Sequence, residues 1–190
     1  MTQLAVFLRP PITGRVKTRL IPAYGPAGAM RLHRKMALSV INTARHANLG
    51  PITLWAAEEP QHRFFRALNT RYGLPIRSQA SGNLGERMHG ALASHAHCGP
   101  TLLVGSDLPA LTVGHLKSAA IALEDGADIV FLATEDGGFG LIGIRSIFPC
   151  SAFAGIPWGS SDVLALVRHR LTRFGFEVLV LGETYDVDRP

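Results

Sequence analysis

The sequence of 190 residues lacks most of the features that mark specialised classes of protein. It has only two cysteines, Cys98 and Cys150, which form neither a CxxC motif nor a metal-ligand spacing. We therefore expect two buried free thiols rather than a disulfide or a reactive site. No stretch approaches the ~18 consecutive apolar residues of a membrane-spanning helix, and the apolar run at the N-terminus is too short for a signal peptide. We expect a cytoplasmic protein without a membrane span.

Several signatures of catalysis and of nucleic-acid binding are missing as well. The chain has no GxSxG or HExxH motif, no Walker A loop and no GxGxxG after its first strand, which argues against nucleophilic hydrolysis and a P-loop. Lys and Arg number 19 against 14 Asp and Glu, and the formal net charge of +5 favours an anionic partner. Because the cations are scattered, without a run of five or six, we do not expect a nucleic-acid-binding surface.

What the chain does have is a regular alternation of short apolar runs and longer helical patterns, with 47% hydrophobic and 17% charged residues. Strands are predicted at 4–8, 52–57, 74–79, 101–106, 128–134, 139–144 and 176–181. Helices are predicted at 25–47, 60–72, 84–96, 113–125 and 160–174, the last two capped by Thr112 and by Ser160 or Ser161. This alternation predicts one α/β domain over residues 1–190, a three-layer α/β/α fold with a mostly parallel sheet. The Gly-rich turn in "ATEDGGFGLIGI" (133–144) adds one antiparallel strand.

The loop after the first strand, "FLRPPITGRVKTRLIP" (7–22), is unusually basic. Gly14 allows close approach to a ligand, and the prolines stiffen the loop. Its four cations could bind phosphate oxygens, or the stretch could be a solvated basic loop; they are Arg9, Arg15, Lys17 and Arg19. Since open α/β sheets bind ligands beyond the carboxyl ends of their strands, this position favours phosphate binding.

Two acidic segments follow other strands of the predicted sheet. In "LLVGSDLPAL" (102–111) a buried strand delivers Ser106 and Asp107 to the carboxyl edge, where one carboxylate suits Mg²⁺ shared with substrate phosphates. Alternatively, Asp107 bonds only local backbone amides. In "TEDGG" (134–138) ordinary hairpin chemistry explains Asp136, but its carboxylate could also accept a bond from a ligand hydroxyl or a metal-bound water.

Other segments are ambiguous when read alone. "SGNLGERM" (81–88) either holds an anion or a base edge at a helix start or is a plain loop-to-helix junction. Trp158 is expected in the core near the site, and the histidines at 89, 95 and 97 are expected to be exposed or hydrogen-bonded. Asp186 and Asp188 alternate after the last strand and either complete a cation site or are solvated. The apolar surface of helix 160–174 is compatible with a homodimer.

Taken in order, six motifs resemble a bacterial family of GT-A-type transferases, described as radical-SAM/selenodomain-associated. These motifs are "GRVKTRL" (14–20), "GNLGERM" (82–88), "GSDLPAL" (105–111), "EDGGFGLIG" (135–143), "GIPWG" (155–159) and "DVD" (186–188). The family is distantly similar to molybdenum-cofactor guanylyltransferase and to phospholactate guanylyltransferase. The resemblance spans residues 4–188.

The resemblance implies a nucleotide-diphospho-sugar transferase fold that binds an NTP or NDP-sugar and a small acceptor, with Mg²⁺ or Mn²⁺ bridging the phosphates. Asp107 would bind the metal, with Asp188 as a second ligand, and Asp136 would lie near the donor sugar or acceptor; with Lys17, Asp107 and Asp136 would form the catalytic group. The residues implied for nucleotide and phosphate binding are Arg9, Gly14, Arg15, Lys17, Thr18, Arg19, Gly82, Gly85, Glu86, Arg87 and Ser106.

Three functions follow as hypotheses. The first is a glycosyltransferase, from which an NDP leaves as the sugar moves to an acceptor. The second is a nucleotidylyltransferase, which releases pyrophosphate and transfers an NMP to a phosphorylated acceptor. The third is a nucleotide-binding module without catalysis.

Overall fold

The computed structural model of the protein describes residues 1–185, whose strands all join one mixed sheet. The strands are Gln3–Leu8 (β1), Ile52–Ala56 (β2), Ile76–Ser78 (β3), Thr101–Gly105 (β4), Ile129–Thr134 (β5), Phe139–Ile144 (β6) and Val178–Thr184 (β7). The α-helices are Ile21–Ala47 (α1), Arg63–Tyr72 (α2), Leu84–His95 (α3), Val113–Glu124 (α4) and Val163–Arg173 (α5). Short 3₁₀ turns cover Thr18–Leu20, Ala96–Cys98 and Cys150–Phe153.

The sheet has the strand order β3-β2-β1-β4-β6-β5-β7. β6 runs antiparallel to both of its neighbours, β4 and β5, and the other pairs are parallel. The antiparallel strand is the one predicted from the Gly-rich turn, since a two-strand hairpin needs no crossover helix. The three-layer α/β/α fold predicted from the sequence is thereby confirmed.

The core lies on both faces of the sheet because successive side chains of a strand point to opposite sides. In β1, Leu4 and Val6 pack with residues of α1, α2 and α4 on one face. Ala5 and Phe7 pack with residues of α3 and α5 on the other. This double burial explains why the strands read as continuous apolar runs rather than as alternating ones.

One helix start follows the predicted capping chemistry, and another departs from regular helix geometry. The Thr112 hydroxyl accepts a hydrogen bond from the His115 amide at 3.1 Å, so the predicted cap of α4 is confirmed. In α1, Gly25 has φ 67° and ψ 164°, a non-helical conformation, and Pro26 opens the regular part of the helix.

Other local predictions were wrong. α5 begins at Val163 with Asp162 as its N-cap residue, not at Ser160 or Ser161, because Gly159 (φ 93°) keeps the preceding segment in turns. β7 lies at 178–184 rather than 176–181. Both cysteines are exposed, because each lies in a surface 3₁₀ turn, and the prediction of buried thiols fails.

Although α1 runs for 27 residues, none of the helices within residues 1–185 combines the length and the apolarity of a membrane-spanning segment.

Candidate active site

A cavity of about 580 Å³ opens at the carboxyl edge of the sheet. Its walls come from the ends of β1 through β6 and from the turn that precedes α5. This is the edge at which open α/β sheets bind ligands, and the volume is that of a small-molecule site. Predicted site residues that line it are Arg9, Arg15, Lys17, Thr18, Arg19, Arg87, Ser106, Asp107 and Asp136.

The remaining predicted residues are placed differently. The cavity lining does not include Gly14, Gly82, Gly85 or Glu86. Asp188 lies outside the described residues.

An ion pair between Lys17 and Asp107 joins the loop after β1 to the segment after β4 in the cavity lining. Lys17 Nζ lies 2.9 Å from Asp107 Oδ2, and the lysine side chain is only 4% exposed against 43% for the aspartate. Lys17 adopts the left-handed backbone conformation (φ 48°, ψ 45°), which costs a non-glycine residue roughly 1 kcal/mol. The loop therefore holds this ammonium group in a fixed position beside the exposed carboxylate.

The first loop, defined here as residues 9–20, combines buried apolar anchors and the buried Lys17 ammonium group with exposed arginines. Val16 and Leu20 are 4% and 0% exposed and fix the loop to the core. Arg15 Nη1 bonds Glu59 Oε1 at 3.0 Å on the surface, which ties the loop to the segment after β2. Gly14 has φ 80°, and a Cβ at this position would meet no atom within 4 Å, so the glycine permits the turn rather than a close approach.

His33, on α1, reaches the same place and was missed by the sequence reasoning. It is 3% exposed and lines the cavity; its Nε2 lies 3.1 Å from the Arg9 carbonyl oxygen and its Nδ1 lies 3.8 Å from Asp107 Oδ1. Burial lowers the pKa of His33 below its ordinary value, and the nearby Asp107 carboxylate opposes that shift only in part. Its only sequence signal was a polar residue on the buried stripe of a helix that includes Met36 and Ala37.

Asp136 lines the cavity from the β5–β6 turn and also builds that turn. Its Oδ1 accepts hydrogen bonds from the Thr134 hydroxyl at 2.6 Å and from the Gly138 amide at 3.1 Å. Gly137 has φ 84°, and a Cβ there would lie 1.9 Å from the Ser161 carbonyl oxygen. The turn interpretation is confirmed, and the turn places the carboxylate in the cavity lining; the contact with a ligand hydroxyl or a metal-bound water stays a prediction.

The glycine loop, defined as residues 81–88, uses most of its polar groups to start α3. The Asn83 side chain accepts from the Glu86 amide at 3.1 Å, and Glu86 Oε2 accepts from the Asn83 amide at 2.8 Å. This is a reciprocal capping box. A Cβ on Gly85 would lie 2.5 Å from Phe153 Cβ and 2.7 Å from Trp158 Cζ2. Gly85 is therefore required for packing.

Arg87 is the residue of the glycine loop that brings a charge into the cavity lining. Gln79, which sequence reasoning missed, accepts from Arg87 Nη1 at 3.2 Å and donates to the Trp55 carbonyl oxygen at 2.9 Å. Burial and the positive charge of Arg9 lower the pKa of Arg87. An arginine that is partly desolvated next to a second cation is arranged to receive an anion.

An aromatic wall closes the cavity on the α3–α5 side. Trp158 contacts Phe139 and Phe153 edge-to-face, with ring centroids 6.4 and 5.6 Å apart. Trp158 and Phe139 both line the cavity while packing on the core. The expected core role of Trp158 thus coincides with a place in the cavity wall.

The three histidines on and directly after α3 do not line the cavity; they are His89, His95 and His97. His89 Nε2 hydrogen-bonds the Phe148 carbonyl oxygen at 2.8 Å, as expected. His95 differs from the prediction, because it is 7% exposed and its Nε2 has no hydrogen-bond partner among residues 1–185. Burial lowers the pKa of His95.

The architecture matches the nucleotide-diphospho-sugar transferase fold of a solved structure that is 27% identical in sequence. A family described as "uncharacterized protein conserved in bacteria (DUF2064)" matches residues 40–160, more than half of the chain. The protein belongs to this family. No functionally curated protein matches its sequence significantly.

Solved structures share the fold over nearly the whole chain. A protein of Desulfovibrio desulfuricans G20, provisionally described as a nucleotide-diphospho-sugar transferase, is 27% identical with a TM-score of 0.89, covering 99% of this chain and 82% of that one. 4-diphosphocytidyl-2C-methyl-D-erythritol synthase of Anaerococcus prevotii is 11% identical (TM-score 0.61; 96% and 86% covered). A CMP:2-keto-3-deoxy-manno-octonic acid synthetase in complex with CTP is 10% identical (TM-score 0.59; 100% and 93% covered). The last two likenesses concern the fold alone.

Proposed function

We propose that the protein is a metal-dependent glycosyltransferase that uses a nucleotide-diphospho-sugar as donor. The observation that carries the proposal is the Lys17–Asp107 pair, which places a buried ammonium group and an exposed carboxylate side by side in the cavity at the carboxyl edge of the sheet. The 27% identity to the D. desulfuricans protein supports the same class. We also propose that the protein belongs to the radical-SAM-associated group of these transferases.

The chain's cations would bind and orient the donor diphosphate. Arg9, Lys17 and Arg19 line one side of the cavity, where Lys17 acts as a fixed point charge and the arginines as forked donors. As the bond to the sugar breaks, negative charge grows on the leaving NDP, and preplaced cations stabilise that charge without reorganising.

Mg²⁺ or Mn²⁺ fits the residues at this position. Residues 1–185 contain no group of three or more His, Cys, Asp or Glu side chains suited to a metal, so Asp107 would share the ion with the donor phosphates and water. A bound ion would supply further charge stabilisation to the leaving diphosphate.

Asp136 would orient the transferred sugar or the acceptor. Its Oδ1 is committed to the β5–β6 turn, which fixes the carboxylate relative to the cavity. The aromatic wall of Phe139 and Trp158 would exclude water from the same side.

Nucleotidyl transfer is the second candidate, and the charge balance of the cavity supports it as well. Five Lys and Arg side chains line the cavity against two aspartates, Asp107 and Asp136. Such an excess suits a triphosphate at least as well as a diphosphate. The two reactions differ in the leaving group, which is pyrophosphate in nucleotidyl transfer and NDP in glycosyl transfer.

The test begins with thermal unfolding against a panel of NTPs, NDPs and NDP-sugars, each with Mn²⁺, with Mg²⁺ and with EDTA. A ligand at about 100 times its Kd should add about 2.7 kcal/mol of stability. We expect one NDP-sugar to stabilise the protein, with the effect lost in EDTA and in Asp107→Ala. Lys35→Ala, an exposed lysine of α1 outside the cavity, is the control that should behave like the unmodified chain.

The alternatives give different results in the same assay. Stabilisation by triphosphates only, with pyrophosphate release, would replace the first candidate by the second. Stabilisation without NDP or pyrophosphate release for any acceptor would indicate a non-catalytic binding module. No stabilisation across the panel would refute a nucleotide site at the first loop.

A further inference from the structure

The imidazole of His33 is held in one tautomer by the backbone. Its Nε2 lies 3.1 Å from the carbonyl oxygen of Arg9. Because a carbonyl oxygen only accepts hydrogen bonds, Nε2 must carry the proton. The other ring nitrogen, Nδ1, is therefore the acceptor atom of a neutral imidazole.

This Nδ1 faces a carboxylate oxygen. It is buried and has no hydrogen-bond partner among residues 1–185, and Asp107 Oδ1 lies 3.8 Å away. That separation is too long for a hydrogen bond, which a doubly protonated imidazole would form at about 2.7–2.9 Å. Two atoms with lone pairs thus face each other in a site that is 3% exposed on the histidine side. A buried acceptor without a donor is costly, and a cation between the two atoms would satisfy both of them.

The separation suits a shared ligand sphere. Metal–nitrogen and metal–oxygen bonds to divalent ions are about 2.0–2.2 Å long. Two such ligands therefore lie roughly 3 Å apart when they are at right angles and roughly 4.2 Å apart when they are opposite. The observed 3.8 Å falls between these limits. The second carboxylate oxygen of Asp107 stays with Lys17 Nζ at 2.9 Å.

We propose that His33 Nδ1 and Asp107 Oδ1 together bind the divalent cation, and that the imidazole makes the site favour transition-series ions over Mg²⁺. The inference deepens the proposed function, on which it rests for the role of the ion. A nitrogen ligand suits ions further along the Irving–Williams series, whereas Mg²⁺ takes oxygen ligands. Affinity should accordingly rise in the order Mg²⁺, Mn²⁺, Co²⁺.

His95 provides a matched control within the same chain. It is also buried and also has a ring nitrogen without a partner among the described residues. Its ring packs edge-to-face on Trp55, and no carboxylate is among the described groups that shift its pKa, whereas Asp107 acts on His33. A structural effect of removing a buried imidazole should appear in both histidine variants, whereas loss of a metal ligand should appear in one.

The experiment uses Mn²⁺ alone with the full chain. Electron paramagnetic resonance of free Mn²⁺ gives the Kd, and electron spin echo modulation detects a coordinated ¹⁴N nucleus. We expect nitrogen coupling in the unmodified chain and in His95→Gln. His33→Gln should lose it and bind Mn²⁺ at least about tenfold more weakly, a loss at the low end of what altered metal surroundings cause. The glutamine amide can still donate to the Arg9 carbonyl, and thermal unfolding verifies that the variant is folded.

Several outcomes would overturn the inference without touching the proposed function. They are Mn²⁺ binding without nitrogen coupling, equal Mn²⁺ affinity of His33→Gln and the unmodified chain, or no Mn²⁺ binding at millimolar concentration while a nucleotide still stabilises the protein. Conversely, nitrogen-coupled Mn²⁺ in a chain that no nucleotide stabilises would support the metal site and refute the transferase.

Discussion

The first loop and the glycine loop leave the same edge of the sheet, and they treat their polar groups in opposite ways. The first loop buries apolar anchors, Val16 and Leu20, and leaves Arg9, Lys17 and Arg19 in the cavity lining. In the glycine loop, Asn83 and Glu86 satisfy each other.

The difference teaches that a polar residue in a loop at a ligand-binding edge is informative according to where its partner lies. Lys17 pairs with Asp107, and both side chains line the cavity. Glu86, in contrast, is explained completely by helix capping. We therefore expect changes at the cavity-lining residues of the first loop to affect ligand binding, and changes at the capping and packing residues of the glycine loop to affect stability.

The largest expected effect is that of Lys17→Gly on nucleotide affinity. Glycine adopts the φ of 48° without strain, so the substitution removes the ammonium group while it preserves the loop. Loss of a buried charge that contacts a phosphate should cost about 2–4 kcal/mol, roughly 30- to 1,000-fold in Kd. Isothermal titration with the nucleotide that stabilises the chain measures this. Unchanged affinity in a folded variant would remove Lys17 from the phosphate site.

A pair of glycine substitutions on α3 tests the structural side of the comparison. Gly85→Ala would place a Cβ 2.5 Å from Phe153 and should destabilise the protein by about 1–3 kcal/mol. In Gly90→Ala the new Cβ meets only Ala80 at 3.5 Å, so helix propensity should make it neutral or stabilising by up to about 1 kcal/mol. Urea unfolding measures both. Equal stabilities would show that the contact of Gly85 with the aromatic wall relaxes freely.

How far the sequence predicts this fold depends on the range of the interactions involved. The layered architecture and the antiparallel β6 follow from local apolar runs and from the turn at Asp136 and Gly137. The start of α5 does not, because the Leu164 amide donates to the Gly137 carbonyl oxygen across the fold and Gly159 holds the intervening turn. Such contacts between distant segments have no signature in a local pattern.

The site shows the same limit. The edge on which the cations and Asp107 meet is predictable, because parallel strands end together. His33 is not, because its approach to Asp107 depends on how α1 packs beside β4. The capping role of Glu86 was readable, since an Asn followed three residues later by Glu is a known helix start.

A smaller effect concerns the stability of the protein at acidic pH. Burial lowers the folded-state pKa of His33 and His95 below the ordinary value of 6.5. Between the folded-state pKa and pH 6.5 the unfolded chain binds more protons than the folded chain does. The stabilising contribution of the two neutral imidazoles is therefore fully present above pH 6.5 and decreases as the pH falls below that value. His33→Gln and His95→Gln should each remove part of this slope, which urea unfolding across that pH range measures.

The two histidines act on different parts of the molecule, which hydrogen exchange can separate. A proton on His33 Nδ1 would compete with Lys17 for Asp107. The backbone amides of the first loop should therefore exchange faster in acid. The exchange rates of the glycine-loop amides should stay unchanged. Faster exchange in both loops would indicate global unfolding instead.

The smallest effect distinguishes two adjacent residues of the glycine loop. Glu86→Ala removes one acceptor of the capping box and should cost about 0.5–1 kcal/mol of stability, while Glu86→Gln keeps an acceptor and should cost less. Neither should change nucleotide affinity by more than about twofold, because the carboxylate contacts Asn83 and does not line the cavity. Arg87→Ala should do the reverse, weakening binding with little loss of stability. If Glu86→Ala weakened binding as much as Arg87→Ala, the carboxylate would have to leave its cap when ligand binds. The contrast between the two loops would then hold only for the unliganded protein.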